Sequence, residues 1–208
     1  MQLLLSSTYL GPIEYYSRLL LHSSILIERF EYFPKQTFRN RCHIYGANGL
    51  LSLSIPLKKN KEKTIIKDIQ IAPDNNWQKI HWKSIESAYR CSPYFEFYEQ
   101  DFAPHYFKKF NFLLDFNEIL QNTVLNLLNA KVKISYTENY LKENPSVEDY
   151  RSRISPKLKN LSDENYITKP YVQVFQNKHG FIPNLSIIDL LFNQGPQTNL
   201  IPLGMQSR

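Results

Sequence analysis

Two cysteines, two methionines, two tryptophans and six glycines are all that 208 residues contain of those types. Cys42 and Cys91 are too few for a disulfide framework, and no CxxC pair offers a metal clip. That usage fits a reduced, cytoplasmic protein. No P-loop or GxGxxG phosphate cradle occurs, and the HExxH and GxSxG signatures are missing as well. The common enzyme fingerprints are therefore excluded, and the chain names no cofactor and no metal. No apolar run approaches the roughly 18 residues of a membrane helix. The N-terminal stretch MQLLLSSTYLGPIEYY lacks a basic start and soon turns polar, so no secretory leader is expected. Internal repeats and low-complexity tracts are absent too.

What is present describes one soluble domain over residues 1–208. Hydrophobic residues make up 42% and charged residues 21%, which is enough to build a core and too apolar for a disordered chain. The formal charge is +6. It is spread along the chain, and the densest run, Lys58, Lys59, Lys61 and Lys63, is interrupted by Glu62 and reads as a solvated loop. A patch of that size steers an anionic small molecule as easily as a polynucleotide. Nucleic acid, argued from charge alone, is the weakest partner class.

Periodicity gives an α/β fold. Leu3, Leu4 and Leu5 read as a buried strand, Gly11-Pro12 as a turn, and Ile13 to Leu21 as a helix with apolar residues at 13, 16, 19 and 20. Ile25-Leu26-Ile27 follows as a second strand. This βαβ unit makes the two strands parallel and puts the loop Ser6 to Gly11 at the carboxyl edge of a mixed sheet, where α/β proteins bind ligands. Arg41 to Ile44 and Leu51 to Leu57 pair as a β-hairpin across Gly46-Ala-Asn-Gly49.

Ile65, Ile66, Ile69 and Ile71 suggest another strand. Asn75 and Gln78 suggest a capping box for a helix from Trp77 to about Arg90, with Trp77, His81, Ile85 and Ala88 on one face. Tyr94 to Tyr98 is an aromatic strand or turn of helix. Asp115 and Glu118 cap another helix, and Lys133 to Tyr136 is a last strand. Residues 144–168, interrupted by Pro145 and Pro156, are expected to run over the surface. Ser186 and Asp189 cap a final helix that Gly195-Pro196 ends.

The densest polar cluster lies in Tyr32 to Leu57, where Lys35, Gln36, Arg39, Asn40, Arg41 and His43 fall within nine residues. Arginine forks grip phosphate or carboxylate, and asparagine both donates and accepts. Strand alternation would set Arg39 and Arg41 on one side and Asn40 on the other. The plainer alternative pairs the arginines with Glu28, Glu31 or Asp68. His81 is either a hydrogen-bonded core residue or a general base. Tyr89 and Tyr94 either pack or lend a phenol to a polar pocket. Cys42 and Cys91 read as small packing residues.

Taken in order, these motifs resemble those of the WbqC-like protein family. The similar segments are Ser7-Thr8-Tyr9-Leu10-Gly11-Pro12, then Lys35-Gln-Thr-Phe-Arg-Asn-Arg41 running into Ile44 to Leu57. Trp77, His81, Ile85, Tyr89 and Pro93-Tyr94-Phe95 follow, and Pro183 to Pro196 matches the family's ending. The family's opening histidine is not matched here, where Ser6-Ser7 stand near its place, which leaves His81 as the catalytic base the resemblance implies. It also implies a role in bacterial surface-polysaccharide (O-antigen) biosynthesis, with acyl or aminoacyl transfer to a nucleotide-linked amino sugar. Tyr9, Arg39, Asn40, Arg41, Tyr89 and Tyr94 would then bind this anionic nucleotide sugar, with backbone amides near Tyr9 to Gly11 stabilising developing charge. A non-catalytic binding or assembly protein of the same fold is the alternative.

Overall fold

The structure, a computed structural model, describes residues 2–59, 63–73, 76–142, 144–156, 166 and 169–199. Its first strand, β1 (Gln2–Ser6), is followed by helix α1 (Ile13–Leu20) and strand β2 (Ser24–Glu28), which pairs with β1 in parallel. Successive side chains of a strand point to opposite faces, yet Leu3, Leu4 and Leu5 are all buried, so both faces of the sheet are covered. That explains the unbroken apolar run.

Two more parallel strands complete this sheet. β5 (Lys133–Tyr136) lies outside β2, and β6 (Val147–Asp149) lies on the other side of β1, giving the order β5-β2-β1-β6. Within the stretch expected to cross the surface, Val147–Asp149 thus forms an edge strand. At three residues it was too short for periodicity to reveal. The chain moves outward from β1 through β2 to β5 and then returns to the far side of β1. The switch point of the sheet therefore falls between β1 and β6.

The hairpin stands apart from that sheet as strands β3 (Arg41–Gly46) and β4 (Gly49–Ser54). Gly49 has φ 98°, a conformation that glycine reaches at no steric cost, and it closes the turn. Helix α2 (Trp77–Tyr89) packs against β3, α3 (Phe95–Tyr106) against α2, and α4 (Leu113–Leu127) against α3. α2 buries Trp77, His81, Ile85 and Ala88 as its spacing predicts, together with Trp82 and Tyr89. A short helix α5 (Gln176–His179) and a longer α6 (Ile187–Gln194) follow, and a 3₁₀ turn over Gly195–Asn199 ends the described chain.

Several local expectations change. The isoleucines at 65–71 do not form a strand: Ile66–Asp68 is a 3₁₀ turn, flanked by isolated bridges from Tyr32 to Ile65 and from Leu57 to Ile71. Ile66 and Ile69 are both buried, and their spacing of three is that of a 3₁₀ turn, not of a pleat. Asn75 lies outside the described residues, and Asn76 occupies the N-cap of α2 at φ 46° without a side-chain capping bond. Tyr94 precedes a full helix. α4 starts at Leu113, so Asp115 sits in its first turn, where a carboxylate complements the helix dipole, instead of capping it. Ser186 is at the N-cap of α6, but its hydroxyl donates to the Leu10 carbonyl at 2.7 Å.

Candidate functional site

A groove of about 800 Å³ opens beside the base of the hairpin. Its wall is built by three segments that sequence separation hides from one another. The loop after β2 contributes Phe33, Lys35 and Gln36, the start of the hairpin contributes Asn40 and Arg41, and the chain leaving β4 contributes Leu57, Lys58, Lys59, Lys63 and Thr64. The backbone joins them, Phe33 N–H donating to Thr64 O at 3.0 Å and Ile55 N–H to Asn40 O at 2.8 Å. Phe33, Leu57 and Ile69 give the groove apolar surface. Five cationic side chains line it, and no carboxylate does among the described residues. Its size is that of a cofactor or metabolite site.

Arg39 does not share this wall with Arg41. Strand β3 begins only at Arg41, so the expected alternation does not operate at 39 and 40. Arg39 turns inward, is buried, and meets Glu31 through two bonds, Nε to Oε1 at 2.8 Å and Nη2 to Oε2 at 2.7 Å. It also donates to Ser6 Oγ at 2.6 Å. Asn40 and Arg41 are the members of the triplet that face the groove. Asn40 Nδ2 donates to Ile55 O at 3.1 Å, while Asn40 Oδ1 and Arg41 Nε are buried without a hydrogen-bond partner among the described residues.

His81 belongs to the interior. It is 4% exposed, and its Nδ1 lies 2.9 Å from the Tyr9 hydroxyl, which lies 2.9 Å from that of Tyr106. Burial lowers the His81 pKa to about 4, against a hydrogen bond to the Ser54 backbone that works to raise it. The ring is therefore neutral at pH 7. If the other ring nitrogen carries the proton toward Ser54, Nδ1 accepts from Tyr9 and Tyr9 accepts from Tyr106. Ser54 pairs with Arg41 across the hairpin, so one strand pair separates the histidine from the groove wall. The Tyr9 amide donates to Phe38 O at 2.8 Å and is spent there.

Tyr89 anchors a second buried network. Its hydroxyl donates to Asp189 Oδ1 at 2.8 Å and accepts from the Tyr45 amide at 3.1 Å. Tyr171 and Gln173 both donate to Asp189 Oδ2, the latter at 3.1 Å. Asp189 is thus a fully buried carboxylate and not a cap, and burial raises its pKa while these donors oppose the rise. Tyr94 packs against Gly195, where a side chain would run into its ring. Arg39, Arg41, His81 and Tyr94 do not converge on one pocket.

The carboxyl edge of the parallel sheet, where sequence reasoning looks first for a ligand, is filled by the chain's own charges. Arg151 reaches Glu28 at 3.2 Å and Asp149 at 2.6 Å, and Arg39 joins them through Ser6. The space between Ser6, Thr8, Tyr15 and Arg151 holds no more than about one water. Missed from the sequence were the lysines. Lys58, Lys59 and Lys63 look like a solvated run, and the bridges from Tyr32 to Ile65 and from Leu57 to Ile71 hold that run where it lines the same groove as Arg41. No group of three His, Cys, Asp or Glu that could hold a metal occurs among the described residues. Nor is any described helix long and apolar enough to cross a membrane.

The family model described as the WbqC-like protein family matches residues 7–173 and 164–200. An uncharacterized protein of Mycobacterium tuberculosis is 23% identical over 219 residues, covering 93% of this chain and 94% of its own. No solved structure matches.

Proposed function

The chain belongs to the WbqC-like protein family, and on that premise we propose that it binds a phosphate-bearing small molecule in the groove between Lys35 and Lys63, as a step in bacterial surface-polysaccharide biosynthesis. The observation that carries this reading is the charge of the wall: Lys35, Arg41, Lys58, Lys59 and Lys63 without a carboxylate among the described lining residues. A wall of this charge attracts a multiply charged anion such as a diphosphate more strongly than a monoanion. The apolar surface of Phe33, Leu57 and Ile69 suits a ring beside the phosphates. A nucleotide-linked amino sugar has both features. In this reading Arg41 and the lysines hold phosphate, Asn40 orients the ligand, and Arg39 stiffens the wall from behind.

Acyl or aminoacyl transfer to such a sugar is the reaction reading, and it needs a base that reaches the groove. His81 has a suitable ring but is 4% exposed and engaged by Tyr9. That observation favours the binding role over the transferase role. Calorimetric titration with a uridine diphosphate-linked N-acetylglucosamine tests the proposal. Wild-type protein binds, and the triple variant Lys58→Gln, Lys59→Gln, Lys63→Gln binds at least about tenfold more weakly, the effect of losing roughly 1.4 kcal/mol. Equal affinity of the two proteins, or none in either, overturns it.

A further inference from the structure

We propose that Asn40 and Arg41 read a second feature of the ligand, a hydroxyl or amine donor placed beside its phosphate. This rests on the reading of the groove as an anion site and adds the pattern that the site selects.

Arg41 Nε and Asn40 Oδ1 are a buried donor and a buried acceptor on neighbouring residues of the groove wall, and neither has a hydrogen-bond partner among the described residues. More than nine in ten buried polar groups in native structures are paired, and each one left unpaired costs about 1–3 kcal/mol. Two orphans of opposite character in adjacent positions of one groove point to a partner from outside the chain. The amide of Asn40 is oriented by its nitrogen, which donates to the Ile55 carbonyl at 3.1 Å, so the oxygen is the atom left open. Both residues are half-buried and line the groove.

The two atoms ask for different chemistry. A guanidinium Nε together with a terminal nitrogen forms a side-on fork that takes two oxygens of a phosphate or carboxylate. An amide oxygen takes only an N–H or O–H. The lysines of the wall cannot substitute for it, because an ammonium group has no acceptor. They can hold any phosphate, with or without a neighbouring donor. Selection between a bare phosphate ester and a hydroxylated or aminated one therefore falls to Asn40, next to the arginine that holds the phosphate.

Glucose 1-phosphate and cyclohexyl phosphate share a six-membered ring and a phosphate, and only the first carries donors beside it. In calorimetric titrations of the full chain, glucose 1-phosphate binds about tenfold more tightly than cyclohexyl phosphate, the worth of one hydrogen bond to a buried group. Asn40→Leu brings the ratio of the two affinities to about one, and a far-ultraviolet circular dichroism spectrum matching wild type reports that the fold is intact. Lys59→Gln lowers both affinities and keeps the preference, because an ammonium group offers no acceptor to lose. If wild type binds the two ligands equally, or Asn40→Leu keeps the preference, the inference is overturned and the anion site stands. If neither ligand binds wild type, the anion reading fails and takes this inference with it.

Discussion

Arg39 and Glu31 form a buried, two-armed ion pair that closes the loop carrying Phe33, Lys35 and Gln36 onto the start of the hairpin. Their side chains are 7% and 10% exposed, so water does little to screen the pair. Breaking a buried pair leaves a charge uncompensated, at a cost of about 3–5 kcal/mol, whereas replacing both partners with apolar groups costs far less. Arg39→Met is expected to lose that much stability in urea unfolding, and the double variant Glu31→Leu, Arg39→Met to recover most of it. A loss below about 1 kcal/mol in the single variant, the range of an exposed pair, would show that the pair is not buried.

His81 sets a pH dependence with a definite sign. Its folded pKa of about 4 lies below the ordinary 6.5, so protonation favours the unfolded chain. The histidine's share of stability is complete above pH 6.5 and falls away as pH drops toward 4, by on the order of 3 kcal/mol. His81→Gln lacks this share of the slope. Urea unfolding of both proteins between pH 4.5 and 7 checks it, and parallel curves would contradict a buried neutral ring.

Asp189 gives the opposite sign. Its carboxyl pKa is raised by burial, so the folded state takes up a proton more readily than the unfolded one. Asp189→Asn puts an amide among three donors, Tyr89, Tyr171 and Gln173, and leaves at least one of them unpaired, at about 1–3 kcal/mol. The melting temperature is already lower at neutral pH, and the gap to wild type widens as pH drops, because wild type alone gains from protonation.

The parallel unit of β1, α1 and β2 was legible because a continuous apolar run, a Pro-started helix and a second run each carry a local signal. The hairpin was legible from Gly46-Ala-Asn-Gly49, and the buried face of α2 from its spacing. β6 was not, since three residues of an edge strand depend on a partner 145 positions away in pairing Gln2 with Val147. Asp189 was misread for a related reason: a capping position explained it locally, while Tyr89 and Tyr171 reach it only in the folded chain. Of the candidate site, the sequence showed the cluster around Arg39 to Arg41 but not which member faces outward. The lysines that complete the groove carry no pattern distinguishing them from a solvated loop.

Charge reversal separates affinity from fold. Lys59 is exposed and lines the groove, so Lys59→Glu leaves urea unfolding within about 0.5 kcal/mol of wild type, as exposed substitutions do. It weakens uridine diphosphate binding at low salt, and the difference shrinks as ionic strength rises and the Debye length falls to about 8 Å at 0.15 M. A salt-independent difference between the two proteins would contradict an electrostatic role for this lysine.

The location of the anion site is tested most directly by mapping backbone amide shifts during an NMR titration with uridine diphosphate. The account predicts saturable shifts at Phe33, Lys35, Asn40, Arg41, Lys59 and Thr64, with the amides of Ser6, Thr8 and Arg151 at the carboxyl edge of the parallel sheet unmoved. Shifts centred on Ser6, Thr8 and Arg151, with those of the groove unmoved, would contradict it.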